Sequence, residues 1–357
     1  MKTDLNKLYD DNLNEFNEIE KIINKDGISL FGAGEFGYRC AKYLMDNNYK
    51  INCFIDNDIN KQNKEIYGIK IVPKNDILSK NSKVVLISTT KYINEIINEN
   101  KDNYTYIIPF DKYFIMKNFN RFISIYEYLY DNKSKEIFEK LLYCKYNGFI
   151  ERLSDIFEKS HYFSVNAFLS DSKKQIFLDL GAYVGDTVEK FIEHSEGIFD
   201  KIYAFEPGDK QFSAMNIRVS RLIREWAIDS NSIILEKLGI SDTNKEVFFD
   251  ESCDILSSNI TNNETGIKIK VVSVDEYLNG RPITFLKSDI EGEELNMLKG
   301  ASETIKKYKP KMAISIYHRP DDFFTIPEFI KSLVPEYKFY LRHHSITFAE
   351  TVLYCCI

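Results

Sequence analysis

The segment Phe177-Leu178-Asp179-Leu180-Gly181-Ala182-Tyr183-Val184-Gly185-Asp186-Thr187 constrains this chain more than any other. An apolar run that breaks at two glycines spaced G-x-x-x-G and then resumes with helical periodicity predicts a strand, a tight loop and a helix. The helix N-terminus faces whatever lies above the loop. In open α/β sheets ligands bind there, outside the carboxyl ends of the strands. The alternation continues downstream. Strands are expected at Ile176–Leu180, Lys201–Phe205, Ile233–Lys237, Phe285–Asp289 and Met312–Tyr317, with helices over Asp186–His194, 209–227, Glu293–Lys306 and 326–333. Glu246–Phe249 and Ile267–Val272 read as an inserted hairpin. About eight residues join Lys338–Arg342 to Thr351–Ile357, too few for a crossover helix, so the sheet should end in an antiparallel strand pair.

A second α/β unit precedes this one. Leu5, Leu8, Leu13, Phe16, Ile19 and Ile23 give residues 4–25 a helical apolar face. Strands are expected at Ile28–Phe31, Ile51–Ile55, Val84–Ser88 and Tyr106–Phe110, with helices running to about Asn48 and over Tyr92–Asn100. Gly32, Gly34 and Gly37 form a G-x-G-x-x-G after the first strand, and Asp56 closes the second about 19 residues beyond Gly37. Residues 112–165 have few turn signals and no β-branched runs, and carry aromatic and aliphatic side chains at helical spacing. The expected fold is α/β: two Rossmann-like doubly wound sheets joined by a helical connector, divided at 1–111, 112–165 and 166–357. A length of 357 residues suits two cores better than one.

A net charge of −7 does not favour a nucleic-acid partner. No apolar run reaches the ~18 residues of a membrane span. The N-terminus Met1-Lys2-Thr3-Asp4 has no secretory pattern, and five of the six cysteines lie in expected helices or strands as buried thiols. A cytoplasmic location is expected.

The chemistry gathers at strand ends. A dinucleotide site would not place Asp179 beside a pyrophosphate; a cofactor with an ammonium and no phosphate can use that carboxylate. Glu206, in Tyr203-Ala204-Phe205-Glu206-Pro207, closes the next strand about 21 residues past Gly185, where an acid can accept hydrogen bonds from both ribose hydroxyls. Together with the antiparallel finish, these features favour S-adenosylmethionine (SAM) over NAD. Asp289, in Phe285-Leu286-Lys287-Ser288-Asp289-Ile290-Glu291-Gly292-Glu293-Glu294, ends the fourth strand beside the expected methyl group. His318 ends the fifth. Methyl transfer to oxygen needs the acceptor aligned and its proton removed, and Asp289 and His318 are the residue types for that work. Asp289, His318 and Asp322 are also metal-ligand types, but their spacing is not diagnostic, so the metal is unassigned and a divalent ion is not indicated.

These elements, in this order, resemble the FkbM family of SAM-dependent methyltransferases over about residues 170–357. D-L-G-A-x-x-G-D-T, F-E-P and S-D-I-E-G-E-E carry the resemblance. It implies a class I methyltransferase fold and methylation of a hydroxyl on a sugar, nucleotide-sugar or glycan precursor, as in polysaccharide biosynthesis. It implies cofactor contacts from Asp179, Gly181, Ala182, Tyr183, Gly185, Asp186, Thr187 and Glu206, with Asp289, Glu291 and His318 lining the acceptor side. The first unit resembles Rossmann-like domains fused to sugar-modifying enzymes. There Gly32, Gly34, Gly37 and Asp56 would bind a nucleotide, or the nucleotide end of the acceptor. A homo-oligomer is compatible with all of this. Two rival readings are an NAD(P)-dependent sugar oxidoreductase using the first fingerprint and a non-catalytic module binding SAM or a nucleotide-sugar. His343 and His344 alternate in an expected strand, so at most one faces a pocket. Tyr162 and Phe163 read as core, and His161 and His194 have no supporting context.

Overall fold

A computed structural model describes residues 2–165, 175–250, 259–261 and 267–357. The chain opens with α1 (Lys2–Asp26), β1 (Ile28–Phe31), α2 (Glu35–Asp46), β2 (Ile51–Ile55), β3 (Glu65–Ile66), β4 (Ile69–Val72), α3 (Ile77–Lys80), β5 (Val84–Ile87), α4 (Ile93–Asn100) and β6 (Tyr106–Pro109). These strands form a six-stranded sheet in the order β3-β4-β2-β1-β5-β6. All its pairs are parallel except β3 with β4. The order reverses between β1 and β5, so the Gly32 loop sits at a switch point. The short β3–β4 hairpin and α3 were not expected from sequence.

Three helices follow: α5 (Phe110–Lys117), α6 (Phe119–Tyr128) and α7 (Asn132–Asn147), then a 3₁₀ turn at Ile150–Ile156. Asp131 caps α7 by accepting the Ser134 N–H, and Gly148 ends it in the left-handed conformation. These helices bind the two sheets together. Phe114 stacks on Phe324 and Phe122 meets the same ring edge-on, both with centroids 5.6 Å apart. Arg121 pairs with Glu328. Arg342 reaches back to Asp131 (2.7 Å) and Glu158 (3.3 Å). One apolar core runs from Leu30 and Leu86 through Phe114 and Leu141 to Leu286 and Ile314.

The second sheet is built from β7 (Ile176–Leu180), β8 (Lys201–Phe205), β9 (Ile233–Glu236), β14 (Phe285–Ser288), β15 (Lys311–Ser315), β16 (Lys338–His343) and β17 (Thr351–Cys356). Its order is β16-β17-β15-β14-β7-β8-β9, and β17 is antiparallel to both neighbours, as expected. Four-residue runs such as Phe285–Ser288, buried throughout, are the mark of strands covered on both faces. Helices α8 (Asp186–His194) and α9 (Asp209–Glu225) link the first three strands. The switch point lies between β7 and β14, where the Gly181 loop meets Asp289.

Three expectations are corrected. The inserted hairpin is a separate four-stranded sheet, in which β10 (Gly239–Ile240), β11 (Lys245–Asp250), β12 (Asn259–Thr261) and β13 (Ile267–Val272) lie in the order β10-β13-β11-β12. Past the short α10 (Val274–Leu278), the helix expected over Glu293–Lys306 is two, α11 (Glu294–Gly300) and α12 (Ser302–Tyr308). It breaks where a Cβ on Gly300 would come within 2.5 Å of the Ser241 carbonyl, a close approach of two backbones. Helix α13 starts earlier than expected and spans Asp322–Leu333 with Pro327 inside it. The boundary expected at 166 and Cys253 lie outside the described residues. Among those described, no helix is long and apolar enough to cross a membrane.

Candidate active site

The cofactor side is built on the β7–α8 turn. Gly181 has φ +75°, and a Cβ there would lie 1.8 Å from the Asp289 carbonyl, so only glycine fits. Gly185 has φ +79° and precedes α8. The turn is tied to β8, whose Phe205 carbonyl accepts the N–H groups of Gly181 (3.1 Å) and Ala182 (2.8 Å). Glu206 accepts the Tyr183 N–H at 3.0 Å and the Gly208 N–H at 2.8 Å. Burial pushes its carboxyl up to about 7, against the pull of those two donors. Two lone-pair sites remain on its oxygens, enough for a pair of hydroxyls. Thr187 is buried in the first turn of α8. Asp186, also there, pairs with Lys190 at 3.1 Å. Burial raises the Asp186 pKa, but the ammonium outweighs it and the carboxyl lies below its usual range.

Asp179 does not present its carboxylate to the crevice, contrary to the sequence expectation. It is fully buried and faces the Lys287 ammonium at 3.1 Å. Lys287 also donates to the Gly181 carbonyl at 2.6 Å. Burial lowers the Lys287 pKa, but Asp179 and then Asp289 outweigh it, and the ammonium persists. The pair thus locks the loop to β14 from below.

Asp289 ends β14 with its side chain about one-fifth exposed. Tyr162 donates to its Oδ2 at 2.6 Å, and the Tyr317 hydroxyl lies 3.3 Å from its Oδ1. Burial acts to raise its pKa, yet His318 and Lys287 hold it down at about 2. His318 is buried and its Nδ1 meets Glu294 Oε1 at 2.9 Å. Its Nε2 lies 3.4 Å from Asp289 and 3.5 Å from Glu291. Burial disfavours the charged ring, but Glu294, Glu291 and Asp289 raise its pKa to about 10. The charged ring is therefore favoured at neutral pH, which weighs against the general base expected from the sequence. Glu291, at φ +56°, is pushed up to about 7 by burial.

Asp322 does not join a metal set. Its Oδ2 accepts the Arg319 N–H at 2.7 Å. Among the described residues, Asp289, Glu294 and His318 do bring ligand-type atoms within 4.8 Å of one another. Glu294, however, already accepts the Ile290 N–H (2.9 Å) and the Gly292 N–H (3.0 Å) beside His318. When its ring is protonated, His318 itself supplies a cation to these carboxylates.

Four residues that sequence reasoning left out complete the site. Lys287 and Tyr162 are described above. Glu350 Oε1 lies 3.2 Å from the Tyr317 hydroxyl, and its Oε2 lies 3.2 Å from His161 Nε2. Arg39, on α2 of the first unit, donates to the His318 carbonyl at 2.8 Å and lies 3.5 Å from Glu291. A small crevice of about 20 Å³, partly open to solvent, runs between the two units here, lined by Phe36, Phe114, Lys145, Tyr317, His318 and Phe323 among others. Neither His343 nor His344 lines it. His343 Nδ1 meets Thr351 Oγ1 at 2.9 Å, and His344 sits between the Glu158 carbonyl (2.8 Å) and the Tyr354 hydroxyl (2.9 Å).

The first fingerprint is satisfied by its own loop. Asp56 accepts the Ala33 N–H (2.8 Å) and the Asp58 N–H (2.9 Å) and pairs with Lys61 at 3.2 Å. A Cβ on Gly37 would fall 2.1 Å from the Gly32 carbonyl, so this glycine serves strand–helix packing. Gly34 faces open space.

Residues 179–343 match the family described as Methyltransferase FkbM domain. This part of the chain is a SAM-dependent methyltransferase domain. Residues 24–106 match a second family, described as C2185-like, N-terminal. No curated protein sequence matches the chain. A crystal structure of Methyltransferase FkbM from Methylobacillus flagellatus KT is similar over 99% of both chains, with a TM-score of 0.62 and 19% identity. The likeness extends to the fold of both units. An rRNA methylase from Streptococcus thermophilus aligns with 51% of this chain and 86% of its own (TM-score 0.33, 16% identity). An O-methyltransferase from Bacillus cereus in complex with SAH, S-adenosylhomocysteine, aligns with 64% and 92% (TM-score 0.32, 11% identity).

Proposed function

We propose that the methyltransferase transfers the SAM methyl group to a hydroxyl of a sugar, nucleotide-sugar or glycan precursor. The observation that carries this reading is the seating of Asp289. An ionised carboxylate, held at about 2, stands at the switch point beside the Gly181 loop, 3.3 Å from the hydroxyl of Tyr317, which lines the crevice. Such a group accepts a hydrogen bond from a hydroxyl, orients its lone pair at the methyl carbon and attracts the sulfonium. The partly buried ring of Phe36 suits the apolar face of a sugar ring. Glu206 takes the ribose hydroxyls of SAM, and the Gly181–Thr187 turn takes the amino-acid end. Asp179 acts on the cofactor through Lys287, and Glu291 and His318 act as an acidic group and a fixed positive charge around the acceptor. In this reading residues 166–357 are the catalytic domain, 112–165 the connector and 1–111 a wall of the acceptor site. Asp56, spent on its own loop and on Lys61, does not favour a nicotinamide cofactor there.

Glu206→Ala should weaken SAH binding about tenfold or more, the loss of two charge-assisted hydrogen bonds. Calorimetry checks it, and unchanged affinity would remove Glu206 from the site. Arg39→Ala should raise the acceptor KM several-fold and leave SAH affinity as it was. An unchanged KM would take the first unit out of acceptor binding. The reading as a whole is tested by SAH release during incubation with a panel of sugars and nucleotide-sugars; no release with any of them rejects the acceptor class.

A further inference from the structure

A methyl transfer to oxygen frees one proton, and Asp289 is a poor place to leave it. Lys287, His318 and Tyr162 all favour its charged form. The geometry supplies a way out. The Tyr317 hydroxyl lies between Asp289 Oδ1 (3.3 Å) and Glu350 Oε1 (3.2 Å), and the other oxygen of Glu350 lies 3.2 Å from His161 Nε2. Glu350 is one-third exposed, and His161, one-fifth exposed, stacks on Tyr162 at 3.8 Å. Glu350 is placed by the link between β16 and β17, in the left-handed conformation at φ +60°. A non-glycine residue held there is uncommon and is kept by its surroundings.

We propose that Asp289, Tyr317 and Glu350 form a proton exit path, in which Glu350 receives through Tyr317 the proton that the acceptor hydroxyl gives up. This rests on the reading of the site as an O-methyltransferase. In the step, the acceptor oxygen forms its bond to the methyl carbon as the carbon–sulfur bond breaks, and that electron pair returns to sulfur. The O–H bond breaks, its electron pair stays on oxygen, and the proton passes to Asp289 Oδ1. Tyr317 takes this proton while giving its own to Glu350 Oε1. The ether and the sulfide leave uncharged, and Glu350, its side chain one-third exposed, returns to the carboxylate by passing the proton to solvent. The contacts of 3.2–3.3 Å are long for O–H···O bonds, as such contacts often are before substrate closes a site.

The energetics run in the right direction. Burial, and next the Asp289 charge, raise Glu350 to about 7, against the pull of His318, Tyr317 and Lys287. Tyr162 and His161 also face it, and burial keeps His161 neutral, with its pKa lowered to about 3. A proton on Asp289 therefore moves downhill to Glu350. Glu350 accepts only while ionised, so turnover should rise with pH through about 7.

The test compares the wild-type enzyme with Glu350→Gln and Tyr317→Phe. Turnover with an accepted sugar should fall roughly tenfold to a hundredfold in either variant. The acid limb near pH 7 should vanish from the Glu350→Gln profile, and SAH affinity by calorimetry should hold. Glu206 and Glu291 also lie near 7, so the limb must disappear with Glu350 alone. A Glu350→Gln enzyme with the wild-type rate and limb overturns the path. If no sugar is methylated even by the wild type, the acceptor reading fails separately. The path is then judged by infrared difference spectra, where the protonated-carboxyl band titrating near pH 7 must be weaker in Glu350→Gln by the share of one carboxyl; an unchanged band overturns the path.

Discussion

Replacing Lys287 with alanine is expected to destabilise the fold by about 3–5 kcal/mol and to abolish measurable SAH binding. The ammonium is only 2% exposed and its partner Asp179 is not exposed at all. Removing one member of such a pair strands the other charge in a dry interior, and that stranded charge sets the cost. Binding should suffer for a second reason. Lys287 is the link between β14 and the Gly181 carbonyl, so its loss frees the turn that receives the cofactor. Denaturant unfolding reads the first effect and calorimetry the second. The pair can be removed as a unit: Asp179→Asn with Lys287→Met should recover much of the stability but not the binding, because the carbonyl anchor is still gone. A single Lys287→Ala variant as stable as wild type would show that the pair does not hold the loop.

The parts of this site visible in the sequence are those with local causes. The glycines of the turn announce themselves because left-handed backbone and close approach exclude other residues. Glu206 and Asp289 announce themselves because each directly follows a buried strand. Lys287 lacks such a signal. It stands opposite Asp179 in the β14–β7 register, and that register exists only once the strand order is known. Tyr162 reaches Asp289 from 127 positions away, and Arg39 reaches His318 from 279. Glu350 reads as one more polar residue in a hairpin link. The position of His318 was legible in the sequence and its neighbours were not. A histidine at a strand end suggests a base until Glu294, Glu291 and Asp289 are found around it. The same limit applies to the first unit, where G-x-G-x-x-G is real in the sequence but Asp56 and Gly37 are engaged by their own loop.

Asp289→Asn should lower turnover by roughly 10²–10⁴-fold while leaving SAH affinity within a few-fold of wild type. The side chain keeps its shape and can still accept the Tyr162 hydroxyl, so the pocket should survive the change. What goes is the negative charge that faces the acceptor hydroxyl and the entry to the Tyr317–Glu350 path. The amide cannot take the proton, so the hydroxyl must lose it unaided as the methyl arrives. The loss should fall on kcat, because Asp289 acts on the reacting oxygen and Glu206 holds the ribose elsewhere. The variant should also differ from Glu350→Gln in its pH behaviour. Glu350→Gln removes the acceptor of the proton and with it the limb near pH 7. Asp289→Asn removes the first carrier and the chief carboxylate neighbour of Glu350, whose pKa should then fall, moving the residual limb to lower pH. Steady-state rates over a pH series, with SAH affinity measured in parallel, separate the two. Equal activity of Asp289→Asn and wild type would mean that the methyl group is delivered at another place in the crevice.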